Sequence, residues 1–222
     1  MKNKFVYITD CEWFESTSLK NPIEFLDHKL QDKYPKFYEK EYDLRMLVTK
    51  KPSAKEKAVP FYNDYREKYG SEDIRVLKDA ASSANARNVF LNGFDQEHFE
   101  YIIPYIKDSA EVLYLFKCPK ISDLSMLSEL KNLKCLFVYW NNSLEVLWNV
   151  KDNTRLKVIS FISIMKIKNI ETLLGSNIEY ITFDSSDNND NKKNILFDKS
   201  VFDKMPNLKY LKVCYKEIDI DY

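Results

Sequence analysis

The sequence predicts an α/β solenoid, a parallel sheet made by stacking short strand-and-turn units. Three observations carry that prediction. The first is a frame with apolar residues at its first, fourth and sixth positions and a ninth position that closes the strand. It is complete at Leu133, Leu136, Val138 and Asn141. It recurs at Ala110, Leu113, Leu115 and Cys118, and at Leu156, Ile159, Phe161 and Ile164. It returns at Ile178, Ile181, Phe183 and Ser186, at Leu208, Leu211, Val213 and Lys216, and more loosely at Ala86, Val89, Leu91 and Phe94. Successive units start 22 to 24 residues apart, with one interval of 30. The second observation is the return half of each unit, where apolar residues follow at a spacing of three. Ile121, Leu124, Leu127 and Leu130 form one such row, Leu144, Leu147 and Val150 another, and Ile167, Ile170 and Leu173 a third. That spacing keeps one apolar ridge inward on a 3₁₀ turn or short helix. The third is alternation within each strand, which sends the frame's fourth and sixth residues to one face and their neighbours to the other.

Residues 1–85 stand outside the frame. Phe5-Val6-Tyr7-Ile8 reads as a strand. Asn21-Pro22-Ile23-Glu24 starts a helix, with Asn as cap and Pro at the first helical position, and Ile23, Phe25, Leu26 and Leu30 supply its apolar face. Leu44 to Val48 is a second strand. Ser53 caps a helix that is interrupted at Pro60 and ends at Gly70, and Ser71 begins another with Ile74, Leu77, Ala81 and Ala84 on one face. A solenoid exposes raw core at each end unless an atypical segment covers it. Residues 1–85 therefore read as an N-terminal cap or small domain, helical or α/β, and residues 86–222 as about six repeats.

Residues 118–138, CPKISDLSMLSELKNLKCLFV, resemble the leucine-rich repeat superfamily, and most closely its short bacterial repeats of the internalin type. The resemblance covers residues 86–216. It implies a right-handed superhelix with a curved parallel sheet, and a ninth-position asparagine that bonds backbone between neighbouring coils. Only Asn141 keeps that asparagine; Phe94, Cys118, Ile164, Ser186 and Lys216 stand elsewhere, which predicts less regular turns. Internalins are secreted, whereas Met1-Lys2-Asn3-Lys4 leads into only Phe5 to Ile8 before Thr9, Asp10 and Glu12. No leader is legible there, so host-cell adhesion is not carried over.

Composition narrows the chemistry by exclusion. Lys and Arg number 34 against 34 Asp and Glu, so the totals hold no basic footprint for nucleic acid. Gly70, Gly93 and Gly175 are too far apart for a phosphate-binding loop, and His28 and His98 cannot make a multi-histidine metal site. Cys11, Cys118, Cys135 and Cys214 show no metal spacing and read as free thiols of a reducing compartment. Asp184 to Asp190 has the acids of a calcium loop without its central glycine and terminal glutamate, and reads as a mobile polar loop. Asp10, Cys11 and Glu12 follow a strand with no nucleophile–base spacing beside them. No run approaches the ~20 apolar residues of a membrane helix. The expectation is a cytoplasmic, non-catalytic protein with no cofactor and no metal, and with neither nucleic acid nor membrane as partner. The alternative is an enzyme or effector whose active domain is residues 1–85, with the repeats as a targeting module.

The frame also predicts a binding face. Its third, fifth and seventh positions line the concave side of the sheet, where Phe90, Tyr114 and Phe137 make one row and Phe116, Tyr139 and Ile162 a second. Trp140 stands at a strand end, and Tyr180 and Tyr210 continue the face. An aromatic sheet face of this size reads as an interaction surface for a protein partner, or for a second copy in a homodimer. Coverage by residues 1–85 is the competing account of the same patch.

Overall fold

In a computed structural model, the described residues are 44–48, 70–71, 73–164, 166–184, 198 and 200–214. Each frame unit becomes a strand because its alternating β-branched, leucyl and aromatic residues suit a pleated surface buried on both sides. The strands are β1 (Leu44–Val48), β2 (Gly70–Ser71), β3 (Asn88–Asn92), β4 (Val112–Phe116), β5 (Cys135–Asn141), β6 (Val158–Ile164), β7 (Tyr180–Asp184) and β8 (Tyr210–Cys214). They form one sheet in the order β2-β1-β3-β4-β5-β6-β7-β8, with every pair parallel. The fold is α/β.

The expected register holds strand by strand. Phe90 lies opposite Tyr114, and Tyr114 opposite Phe137. Phe116, Tyr139 and Ile162 make the next row, and Tyr180 pairs with Tyr210. The frame residues Val89, Leu91, Leu113, Leu115, Leu136, Val138, Ile159 and Phe161 point together into one core. The return ridges meet them there through Ile121, Leu124, Leu127, Leu144, Val150, Ile167 and Leu173. The returns are short 3₁₀ segments at Ser125–Glu129, Val150–Asp152 and Glu171–Leu173, as the spacing of three requires.

Three α-helices join the same side. Helix α1 (Ile74–Ala84) contributes Leu77 and Ala81, α2 (Gln96–Ile106) contributes Phe99, Ile102, Ile103 and Ile106, and α3 (Ser200–Asp203) contributes Val201 and Phe202. The start of α1 differs from the sequence expectation. Asp73 is its cap, accepting from the backbone N–H of Arg75, while Ser71 belongs to β2 and accepts from the backbone N–H of Asp73. Two successive cap-forming residues compete for one helix start, and the later one wins because β2 claims the earlier.

The sheet continues across residue 85. β1 lies between β2 and β3, so the chain steps away from the repeats and α1 carries it back over β1. The strand expected at 5–8, the helices expected from Asn21 and Ser53, His28, Cys11 and the loop at 185–194 lie outside the described residues.

Candidate binding face

Two devices hold the coils in register, and both constrain where the aromatic face sits. Asn141 ties its unit to the backbone of the preceding one. Its Nδ2 donates to the Ile121 carbonyl of the preceding coil at 2.8 Å, while its Oδ1 accepts from the N–H groups of Ser143 and Leu144. Cys118 fills the equivalent place with a thiol, donating to the Leu91 carbonyl at 3.7 Å and the Phe116 carbonyl at 3.4 Å. Burial pushes that thiol up to about 12, so it stays a neutral donor. The thiol thus ties one unit to the one before it, at a strand carbonyl rather than at the turn carbonyl that Asn141 takes.

A second set of asparagines lies in the column just before the frame. Asn132, Asn177 and Asn207 each donate Nδ2 to a carbonyl of an earlier coil, at Asp108, Thr154 and Ser176, over 2.8 to 3.2 Å. Asn153 is buried and bridges more strongly, donating to the carbonyls of Leu127 and Leu130 and accepting from Trp148 Nε1 at 2.6 Å. Charge works alongside, one residue before each strand. Glu111 takes hydrogen bonds from Arg87 and Lys134, and Glu179 from Lys209, with Lys157 3.1 Å away. Burial of Glu111 opposes its charge, but the hydrogen bonds from Arg87 and Lys134 outweigh that and hold its carboxyl below the usual range.

On this frame the aromatic face is one connected set. Phe90 meets Tyr114 edge-on at 4.9 Å, and Tyr114 meets Phe137 edge-on at 6.1 Å. Phe116 stacks on Tyr139 at 5.3 Å, and Tyr139 touches Trp140 at 5.0 Å. Edge-on and offset pairs of this spacing each add a fraction of a kcal/mol to about 1.5 kcal/mol beyond the area they bury.

The face is not the open patch the sequence suggests. Phe90, Val112, Tyr114, Phe116, Cys135, Phe137, Val158, Ile162 and Tyr180 are between 0 and 8% exposed. Alternation assigns a side chain to a face but says nothing of what lies above it, and here the face is closed over most of its width. Among the described aromatics of the face, its carboxyl-end corner is the open part. Tyr139 is half-buried, and Trp140 is 38% exposed. Tyr210 is placed only by its register beside Tyr180.

That corner is built on strained backbone. Gly93 follows β3, Lys117 follows β4 and Trp140 is the penultimate residue of β5, with φ of 74°, 48° and 56°. A glycine adopts this left-handed conformation freely, whereas a lysine or tryptophan there costs about 1–2 kcal/mol. The turn is fixed by the sheet, because the N–H of Lys117 donates to the Tyr139 carbonyl and that of Gly93 to the Phe116 carbonyl. Lys117 then lays its ammonium 4.6 Å from the Trp140 ring and 5.4 Å from the Phe116 ring. The result is an exposed indole gripped from below by two rings and flanked by a cation.

His98 is the remaining candidate for chemistry. It sits half-buried at the start of α2, its Nδ1 2.6 Å from the Asp95 carboxylate that caps the helix. The geometry of the pair is that of a helix cap. Among the described residues no group of three His, Cys, Asp or Glu could hold a metal ion, and no helix is long and apolar enough to cross a membrane. No family model matches this chain, and no curated protein matches it.

Proposed function

We propose that this chain is a leucine-rich-repeat solenoid that acts as a non-catalytic protein-interaction module of the cytoplasm. Its grip is the corner formed by Phe116, Lys117, Tyr139 and Trp140 on the concave side of the sheet. The observation that carries this reading is Trp140, a large exposed ring held on left-handed backbone and stacked against its neighbours. Strain at an exposed aromatic marks a position shaped for something other than folding. Tryptophan, tyrosine and a neighbouring cation are also the side chains that interfaces use as anchors. Phe90, Tyr114, Phe137, Ile162 and Tyr180 act behind the corner as its support, which narrows the binding surface from the whole face to its carboxyl rim.

The test uses the intact chain. A protein captured from lysate by the unaltered chain is purified, and its affinity is measured for the chain and for Trp140→Ala. An anchor of this kind contributes about 2 kcal/mol or more, so Kd should rise about 30-fold with the melting temperature little changed. Unchanged affinity contradicts the reading. A concentration-dependent dimer that Trp140→Ala dissolves identifies the partner as a second copy.

A further inference from the structure

From β4 to β8, two columns of side chains tie each coil to the one before it at the amino rim of the sheet. One junction breaks both. In the outer column an asparagine donates to a carbonyl of the preceding coil, from Asn132 to Asp108, Asn177 to Thr154 and Asn207 to Ser176. Arg155 stands in that column at the junction of β5 and β6. The equivalent acceptor there, the Lys131 carbonyl, receives no side-chain bond from the described residues. In the inner column, cation and carboxylate alternate through Arg87, Glu111 and Lys134, and again through Lys157, Glu179 and Lys209. Where β5 meets β6 two lysines adjoin instead, and the N–H of Lys157 donates to the Lys134 carbonyl at 2.8 Å. Like charges side by side on neighbouring strands are unfavourable. An asparagine at 155 would complete the outer column, so folding does not ask for the arginine. Positions that break a local rule kept on either side of them mark function.

We propose that this junction is a second interaction surface, which takes an extended acidic segment of a protein partner with carboxylates at alternate residues. Leu156 is buried, so Arg155 and Lys157 turn outward on either side of it. Arg155 is exposed and makes no ion pair with a described residue. The side chains of Lys134 and Lys157 are 32% and 30% exposed while each holds its own glutamate. Three cations thus share one patch with no carboxylate between them. Arg155 and Lys157 are two residues apart, roughly 6.6 Å in extended chain, which is also the repeat of alternate side chains on an extended partner. Glu111 and Glu179 bound the patch, each about 4.8 Å away at one strand spacing. They would face the evenly charged backbone of a nucleic acid, whereas spaced carboxylates meet the cations alone. The patch lies at the amino end of β5 and Trp140 at its carboxyl end, so this surface stands apart from the proposed binding corner.

The experiment is fluorescence anisotropy with the full-length chain and a labelled ten-residue peptide alternating glutamate and serine. Binding should saturate at low salt and weaken as salt rises, and the peptide with glutamine for glutamate should not bind. Arg155→Asn should raise Kd about threefold or more without lowering the melting temperature. Arg155→Lys keeps the charge and should bind nearly as the unaltered chain does. Lys168→Gln removes a cation from a return turn and should leave the affinity unchanged. Absence of saturable binding, equal binding of the glutamine peptide, or equal weakening by Arg155→Asn and Lys168→Gln would overturn the inference. So would tighter binding of a ten-nucleotide oligothymidylate than of the peptide. A lower melting temperature for Arg155→Asn would show that the arginine serves the fold, and would overturn it as well.

Discussion

The centre of the aromatic face and its carboxyl-end corner are made of the same residue types on the same strands, yet the structure treats them differently. Phe137 and Trp140 are three positions apart on β5. Phe137 is packed on regular strand backbone at the middle of a closed cluster, while Trp140 turns outward on a left-handed residue. Aromatic content alone therefore does not mark a binding surface. What separates the two regions is cover and backbone strain, and neither is visible in hydrophobic patterning. The lesson is that an anchor is recognised where an aromatic stays exposed despite neighbours able to bury it.

The comparison breaks most visibly at the centre. Phe137→Ala should cost about 3–5 kcal/mol of folding stability, the range for a buried phenylalanine. Leu136→Ala, adjacent in sequence and facing the ridge core, should cost a similar 2–5 kcal/mol. Urea unfolding of the two variants compares the faces directly. A cost near 1 kcal/mol at Phe137 would mean the aromatic side is open. Asn153→Ala should follow, at a cost of about 1–3 kcal/mol, because it leaves the indole N–H of Trp148 unpaired inside the core and takes one of two donors from each of the Leu127 and Leu130 carbonyls. A loss below 1 kcal/mol would show that those groups reach other partners.

Smaller effects sharpen the contrast further. The folded-state pKa of Glu111 is lowered, so its contribution to stability is present above the unfolded glutamate value of about 4.3 and is lost as pH falls through the folded value. Chemical denaturation from pH 6 to pH 3 should show a steeper acid loss for the unaltered chain than for Glu111→Gln. Equal slopes would show that Arg87 and Lys134 do not favour its charged form. The smallest effect is at Thr182, which is buried on the aromatic side with its hydroxyl unpartnered among the described residues. Thr182→Val keeps the shape and removes a polar atom that costs about 1–3 kcal/mol to bury unmade, so thermal unfolding should move upward. A fall in melting temperature would reveal a partner for that hydroxyl.

How much of this was legible in the sequence follows from the physics of each feature. Strand positions and register were legible because period-two alternation and a repeat of nearly constant length constrain each other. A slip of one residue would have turned Leu113, Leu115, Leu136 and Val138 outward. The cover over the aromatic face was not legible, since alternation looks the same for a side facing water and a side facing protein. The place of β1 between β2 and β3 was equally hidden, because strand order depends on the path of a connection rather than on local pattern. The coil-bridging asparagines were present as a signal at Asn132, Asn177 and Asn207, one residue before three of the frame units. They lie one residue before the frame rather than at its ninth position, where Cys118 reaches a preceding carbonyl different from the one Asn141 reaches. Trp140 was legible as an aromatic at a strand end, but its left-handed φ was not, since tryptophan is among the last residues a sequence reading places there.

The central claim is that one strand carries a folding residue and a binding residue three positions apart. The most direct measurement is melting temperature and partner affinity, taken side by side, for Phe137→Ala and Trp140→Ala in the intact chain. The account predicts a large loss of melting temperature for Phe137→Ala and almost none for Trp140→Ala, with Trp140→Ala alone weakening the partner about 30-fold at full folding. A Trp140→Ala chain that melts as early as Phe137→Ala, or that binds as tightly as the unaltered chain, would contradict it.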